Sequence, residues 1–294
     1  MVAAGFGGSD KVYSVLDLAI LGYRPSQVEG WSLLHFAVDP RILRPIPNLE
    51  PRWDVTTIGY LGFPLSECEL RTALHNGGVS TTLAAIHCEL TRAGFNHSSL
   101  DLRELEWFLL SFMRSRDPAY EPDEIFRWLM SLYEIRVLRP VERSNFMRRI
   151  ISTTRNVQIF GNGQWLFEGQ LSYYLGGRIR GSGERSSVYS LSKIVMHNGN
   201  LLVHDRSLEA MACGACVILN HSRHEDSPSG ITPYFSEGEH FAFFNMDTIS
   251  AVTKEPLIDN ARRARIGRLA RERVLASFTW QYRVKQIVED FLSR

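Results

Sequence analysis

From Val157 onward, short apolar runs alternate with helical segments, and this alternation limits the fold more than any other feature of the chain. Val157-Gln158-Ile159-Phe160 stops at Gly161-Asn162-Gly163, and Lys193 to Met196, Cys216 to Leu219 and His240 to Phe244 follow as further strand-like runs. Ser207 to Ala212 lies between two of them with helical spacing, and the chain closes on helical patterns over Asp259 to Leu275 and Gln281 to Leu292. Strands alternating with helices pair in parallel and need cover on both faces, so the expected class is α/β with a parallel sheet. An earlier β-branched run, Val55 to Tyr60, punctuated by Gly62 and Pro64, reads as a parallel strand entering a loop and then a helix.

Between these two regions, from Leu65 to Ile151, apolar residues recur at helical spacing, as in Leu102, Leu105, Phe108, Leu109 and Phe112. About four helices are expected there, as an insertion at 65–151 in a domain spanning 53–294. Residues 1–52 contain an apolar segment from Val12 to Leu21 and then five X-Pro steps, which favour extended chain. They read as a linker or the remnant of an amino-terminal domain.

Composition removes several function classes. Thirty-three Lys and Arg against 32 Asp and Glu leave a formal charge of +1, so no whole-chain field points to nucleic acid or to an anionic membrane. The longest apolar stretches fall far short of the roughly 20 residues that span a bilayer. The first ten residues carry no cationic segment, and glycines interrupt any apolar one, so a cytoplasmic location is expected. Four cysteines are too few for a disulfide scaffold. Cys213 and Cys216 have redox-motif spacing, yet they read as small buried residues at a helix-to-strand junction, with no second pair to complete a zinc site. The six arginines from Arg262 to Arg273 share their helix with an apolar side, which fits a solvated amphipathic helix better than a nucleic-acid face.

In doubly wound sheets, ligands bind beyond the carboxyl ends of the strands, where helix N-termini present unpaired N–H groups to anions. One such loop combines several features: Leu201-Leu202-Val203-His204-Asp205-Arg206-Ser207-Leu208-Glu209. Asp205 or Ser207 can cap the helix, Arg206 stands in its first turn, and Glu209 lies about one turn inward. That arrangement suits a diphosphate at the helix end and a ribose diol on the carboxylate. His197, His204, His221 and His224 cluster around the same place, and His204-Asp205 can also be read as a base with its orienting carboxylate. No G-x-S-x-G elbow and no Cys-His context supports a nucleophile, so the catalytic residues stay unassigned.

The run Arg206-Ser-Leu-Glu209-Ala-Met-Ala-Cys-Gly214-Ala-Cys-Val-Ile218 resembles the "lEAmAcG-x-x-vI" signature of group-1 glycosyltransferases with the GT-B fold. More narrowly it resembles the CgeB-type, spore-maturation-protein branch, in which an Arg replaces the "EGFG" element. Tyr189-Ser-Leu-Ser-Lys193-Ile194 is similar to that branch's "Y-N-x-S-K-I", and Val157-Gln-Ile-Phe-Gly161-Asn-Gly163-Gln-Trp165 to its "v-x-v-y-G-x-g-W". Phe235-Ser-Glu-Gly238-Glu239, Phe278-Thr-Trp280 and Val38-Asp39-Pro40 with Pro45 extend the ordered series over residues 35 to 294.

The resemblance implies a Rossmann-like GT-B carboxy-terminal half that binds a nucleotide-sugar and transfers a hexose to an unknown acceptor without a bound metal or other cofactor. By the same resemblance Glu209 accepts from the ribose hydroxyls, Arg206 and Lys193 offset diphosphate charge, and the loop Gly161, Asn162, Gly163 lies against the base. Ser207 and His204, at the helix start, complete the nucleotide-binding set. Two departures open a second reading. Leu201 stands where the wider superfamily has a first Glu, and only about 50 residues precede the first strand of the expected domain. A partner chain or a missing amino-terminal domain would then supply the acceptor side, or the chain is a catalytically silent binding or scaffold subunit.

Overall fold

The computed structural model describes residues 12–14, 31–63, 65–76, 78–93, 102–199, 203–221 and 225–292. In chain order the strands and helices are β1 (Val12–Ser14), β2 (Trp31–Leu33), β3 (Trp53–Ile58), α1 (Glu67–Leu70), β4 (Ala73–Asn76), β5 (Val79–Thr82), α2 (Leu83–Arg92), α3 (Leu102–Arg114), α4 (Glu124–Tyr133), α5 (Arg139–Thr153) and β6 (Val157–Phe160). Then come α6 (Ser182–Ser190), β7 (Ser192–His197), α7 (Asp205–Ala212), β8 (Cys216–Asn220), β9 (Ala242–Phe244), α8 (Ile249–Ile258), α9 (Asn260–Ser277) and α10 (Trp280–Leu292). They fall into two compact units, one of Met1–Gly59, Arg149–Gly161 and Tyr174–Arg294, the other of Tyr60–Arg148 and Asn162–Tyr173.

The first unit is built on a five-stranded sheet of order β6-β3-β7-β8-β9, parallel throughout. Val55 of β3 stands between Val157 of β6 and Ile194 of β7, and Ile194 is in turn opposite Cys216 of β8. Successive residues of a strand point to opposite faces, and both faces are covered. Val195, Val217, Leu219 and Phe243 share one buried cluster with Tyr189 of α6, Leu208 and Met211 of α7, and Ala270 and Val274 of α9. On the other face Thr253 of α8 is fully buried, its hydroxyl 3.6 Å from the Met196 sulfur. The chain pairs β6 on one side of β3 and then crosses to β7 on the other, so the order of strands reverses between β3 and β7. This is the α/β, Rossmann-like parallel sheet expected from the alternation of strands and helices.

Two glycines set how closely α7 and α9 approach. Gly214 ends α7 at φ +76°, a left-handed conformation in which a side chain is strained. A β-carbon on Gly267 of α9 would stand 2.1 Å from the Gly214 carbonyl oxygen, so only glycine lets the two backbones touch there. Upstream, β1 and β2 form a separate two-stranded parallel sheet, and Leu34 N donates to Ser14 O at 2.8 Å. Val15 to Leu21 lies outside the described residues.

The second unit combines the largely helical segment between β3 and β6, which carries a small antiparallel β4–β5 ribbon, with Asn162–Tyr173 after β6. Leu83, Ile86 and Leu90 of α2, Leu105, Leu109 and Phe112 of α3, and Phe126, Leu129 and Tyr133 of α4 make its core, spaced at one face per helix. The Tyr133 hydroxyl donates to the Leu83 carbonyl at 3.2 Å, and burial pushes its phenol up. Between α4 and α5 the chain winds as a π-turn, Glu134–Leu138. Among the described residues no helix is long and apolar enough to cross a membrane.

Candidate functional site

The carboxyl end of β7 and the start of α7 form the candidate site. Gly199 N donates to Asn220 Oδ1 at 2.8 Å, which ties the segment after β7 to the end of β8. The buried His197 closes β7, and its ring centroid is 4.5 Å from that of His204, the N-cap of α7. Asp205 accepts the Arg206 amide at 2.8 Å and pairs with His204 Nδ1. Burial works against ionisation of Asp205, but the hydrogen bond and charge of His204, with the Arg206 amide and charge, outweigh it and hold the carboxyl at about 2.

Glu209 lies one turn further in and is buried, with 8% of its surface exposed. Its Oε2 forms an ion pair with Arg185 Nε at 2.8 Å and accepts from the Tyr189 hydroxyl at 3.3 Å. Burial pushes the carboxyl above its ordinary range, opposed by the charge of Arg185, and the same burial raises the Tyr189 phenol. Both contacts fall on one oxygen, and Oε1 has no partner among the described residues. The Arg206 guanidinium likewise makes no hydrogen bond or ion pair with any described residue, whereas Arg185 is committed to Glu209. Ser207 Oγ, in the first turn of α7, is buried without a hydrogen-bond partner among the described residues. A free carboxylate oxygen, an uncommitted guanidinium and the first-turn amides of α7 other than those of Arg206 and Leu208 therefore lie within two turns of one helix, an arrangement that suits a group carrying both hydroxyls and negative charge.

His204, Arg206, Ser207 and Glu209 are thus brought together on α7. Lys193 is not with them. It is the second residue of β7, toward the amino end of the strand, where its ammonium pairs with Asp54 at 2.8 Å. Asp54 also accepts from Thr154 at 2.8 Å. At about 3.3 Å per residue the strand carries Lys193 some 13 Å from His197, so the expectation that Lys193 offsets diphosphate charge does not fit its position. Gly161 follows β6, its amide donating to Gly177 O at 3.0 Å. Asn162 and Gly163 belong to the second unit, where the Asn162 side chain bonds both the amide and the carbonyl of Leu61 at 3.0 and 2.9 Å. Leu201 and His224 lie outside the described residues.

Arg185 and Tyr189 were not singled out as site residues from the sequence. They sit four apart on α6, and the signal that points to them is chemical: a carboxylate one turn inside a buried helix needs a cation, and Arg185 shares one face with Tyr189 of the Tyr189-to-Ile194 motif. Cys213 and Cys216 are buried, and burial pushes both thiols up to about 12, which fits inert core residues rather than a redox pair. Four of the six α9 arginines are used within the unit: Arg262 pairs with Glu255 at 2.6 Å, Arg268 with Glu272 at 2.8 Å, and Arg263 and Arg273 donate to the carbonyls of Pro256 and Tyr234.

A protein-family model described as glycosyl transferase-like matches residues 137–289, just over half of the chain, including all of α6, β7 and α7. No curated protein sequence matches the chain. Among solved structures, a mutant of S. aureus TarM in complex with Fondaparinux, alpha-GlcNAc-glycerol and UDP is similar at 10% identity and a TM-score of 0.52, over 95% of this chain and 43% of that one. Anabaena Alr3699/HepE in complex with UDP is similar at 10% identity and a TM-score of 0.51, over 94% of this chain and 60% of that one. The chain spans about half the length of the solved structures it matches, and at these identities the likeness is one of fold.

Proposed function

The chain belongs to the glycosyl transferase-like family, and from that premise we propose that its first unit binds a nucleotide-sugar at the start of α7 as the donor in hexosyl transfer. The observation that carries this reading is Glu209: a buried carboxylate anchored through Oε2 by Arg185 and Tyr189, with Oε1 left to accept from a ribose diol. The Arg206 guanidinium and the Ser207 amide then face the diphosphate, where negative charge accumulates as the sugar departs. Arg206 takes the charge-offsetting role that the position of Lys193 denies it. Ser207 Oγ and His204 are assigned to the same nucleotide, with the base toward the Gly161 loop. The motif series from Tyr189 to Trp280 supports placing the chain in the CgeB-type branch, acting in the cytoplasm without a resident metal.

The acceptor side is assigned to a second domain or a partner chain. That assignment is supported by α10, of whose described residues Arg283 alone is buried, while Trp280, Val284, Ile287, Val288 and Phe291 are exposed along one side. The Tyr13 hydroxyl donates to Asp290 of α10 at 3.1 Å, so the two-stranded β1–β2 sheet adjoins the same helix. The same exposure fits the second reading, a catalytically silent binding or scaffold subunit. The test is a thermal-shift panel of UDP-, GDP-, ADP- and TDP-sugars. A ligand at about 100 times its dissociation constant adds roughly 2.7 kcal/mol of stability, and one member is expected to do so. No shift with any member would contradict nucleotide binding. A shift without donor hydrolysis or acceptor labelling in lysate would favour the silent subunit.

A further inference from the structure

The second unit holds a cavity that the nucleotide site does not use. Its volume is about 380 Å³, within the roughly 300–1,000 Å³ of small-molecule sites. One wall is a single helical stripe: Val137 in the π-turn and Val141, Ser144 and Arg148 of α5 follow one another at steps of four, three and four residues. At a rise of about 1.5 Å per residue the stripe is some 16 Å long, and its polarity is graded. Leu65, Leu70, His87 and Pro140 line the same cavity. At the polar end Ser144 Oγ donates to Glu168 Oε2 at 2.7 Å and Arg148 Nη2 donates to the same oxygen at 3.2 Å.

Backbone geometry fixes the π-turn at the apolar end. A β-carbon on Gly62 would stand 2.5 Å from the Ile135 carbonyl oxygen, so glycine lets the 61–63 segment rest on the π-turn. Arg136, inside that turn, clamps the segment by donating to the Phe63 carbonyl and pairs with Glu69 at 3.0 and 3.2 Å. A π-turn is rare and recurs at functional sites because its extra residue re-aims the side chains around it.

The charges around the cavity decide the ligand. Arg136 is neutralised by Glu69 and Arg148 by Glu168, so an anionic head would meet Glu168 and a cationic head would meet Arg148. A hydroxyl meets both, accepting from Arg148 and donating to Glu168. We propose that this cavity binds a neutral amphiphile, an aliphatic or aromatic body lying along Val137 and Val141 with a single alcohol group at Arg148 and Glu168. The site stands independently of nucleotide binding by the first unit.

The test is a titration of the full chain followed by saturation-transfer NMR, with 1-butanol, 1-hexanol and 1-octanol against the alkylamine and the carboxylate of equal length. Affinity is expected to rise roughly fourfold per added methylene, the increment for burying that group, with each alcohol tighter than its charged counterparts. Val141→Phe, at a position 39% exposed where a larger ring is tolerated, should abolish binding at an unchanged circular-dichroism spectrum. Glu168→Gln should turn the head-group order toward the carboxylate and Arg148→Gln toward the amine, a readout that a merely structural role would not move. Binding without length dependence, binding that survives Val141→Phe, or one head-group order in all three proteins would overturn the proposal. Should Val141→Phe fail to fold, the reversal between Glu168→Gln and Arg148→Gln decides it.

Discussion

Glu209 is held by two side chains on one oxygen, and that asymmetry separates its structural role from its binding role. Replacing it by alanine leaves the Arg185 guanidinium and the Tyr189 hydroxyl without their partner. Breaking a fully buried pair costs about 3–5 kcal/mol; Arg185 keeps 30% of its side chain exposed, so a loss of about 2 kcal/mol in denaturant unfolding is expected for Glu209→Ala and less for Glu209→Gln. A second residue-scale expectation concerns acid. Burial first, then the charge of Arg283, lowers the His35 imidazole from 6.5 to about 4, against a raising hydrogen bond to the Pro228 carbonyl. The unfolded chain takes up that proton near 6.5, so the contribution to stability is full above 6.5 and is lost as pH falls toward 4. His35→Phe keeps a ring against Tyr234 and Phe278 and should flatten the pH dependence of the urea midpoint across that window. An unchanged slope would place the dependence elsewhere.

At the scale of elements, the α7–α9 contact tests how far packing overrides propensity. Alanine in a helix interior is favoured over glycine by about 1 kcal/mol, whereas overpacking against a backbone atom costs about 1–3 kcal/mol or more. With the added carbon 2.1 Å from the Gly214 oxygen, packing dominates, and Gly267→Ala should lower unfolding stability by about 2 kcal/mol; a stabilised variant would show that α9 can shift. The sheet was legible in the sequence because its strands are short apolar runs bounded by glycine or polar residues, and β3, β6, β7, β8 and β9 coincide with those runs to within a residue or two at most ends. The helices α2 to α5 were legible by their spacing, and α7 by its motif, although its N-cap is His204 rather than Asp205 or Ser207. The π-turn left no such trace, since one extra residue per turn does not change the apolar count. Nor did the position of Lys193: the strand was read correctly, but which end of it faces the ligand follows from chain direction in the sheet, and Asp54, its partner, lies 139 residues away. Arg185 was missed for a related reason, because the need for a counter-charge appears only once Glu209 is known to be buried.

At the scale of the whole chain, α10 leaves an apolar side uncovered. An apolar stripe of Trp280, Val284, Ile287, Val288 and Phe291 on a helix with one buried residue favours association, so the purified chain should exceed its monomer mass in light scattering at high concentration, and Ile287→Lys with Phe291→Lys should restore the monomer. A monomeric parent at every concentration would contradict that expectation. The central claim, that α7 presents Glu209 to a ribose and Arg206 to a diphosphate, is tested most directly by calorimetric affinities for a nucleoside diphosphate and its nucleoside, measured on the parent, Arg206→Ala and Glu209→Gln. Arg206→Ala should weaken the diphosphate at least tenfold and leave the nucleoside unchanged, while Glu209→Gln should weaken both, since charged hydrogen bonds are worth roughly 1.5–3 kcal/mol. Parent-like affinities in both variants would show that the start of α7 is not the ligand site.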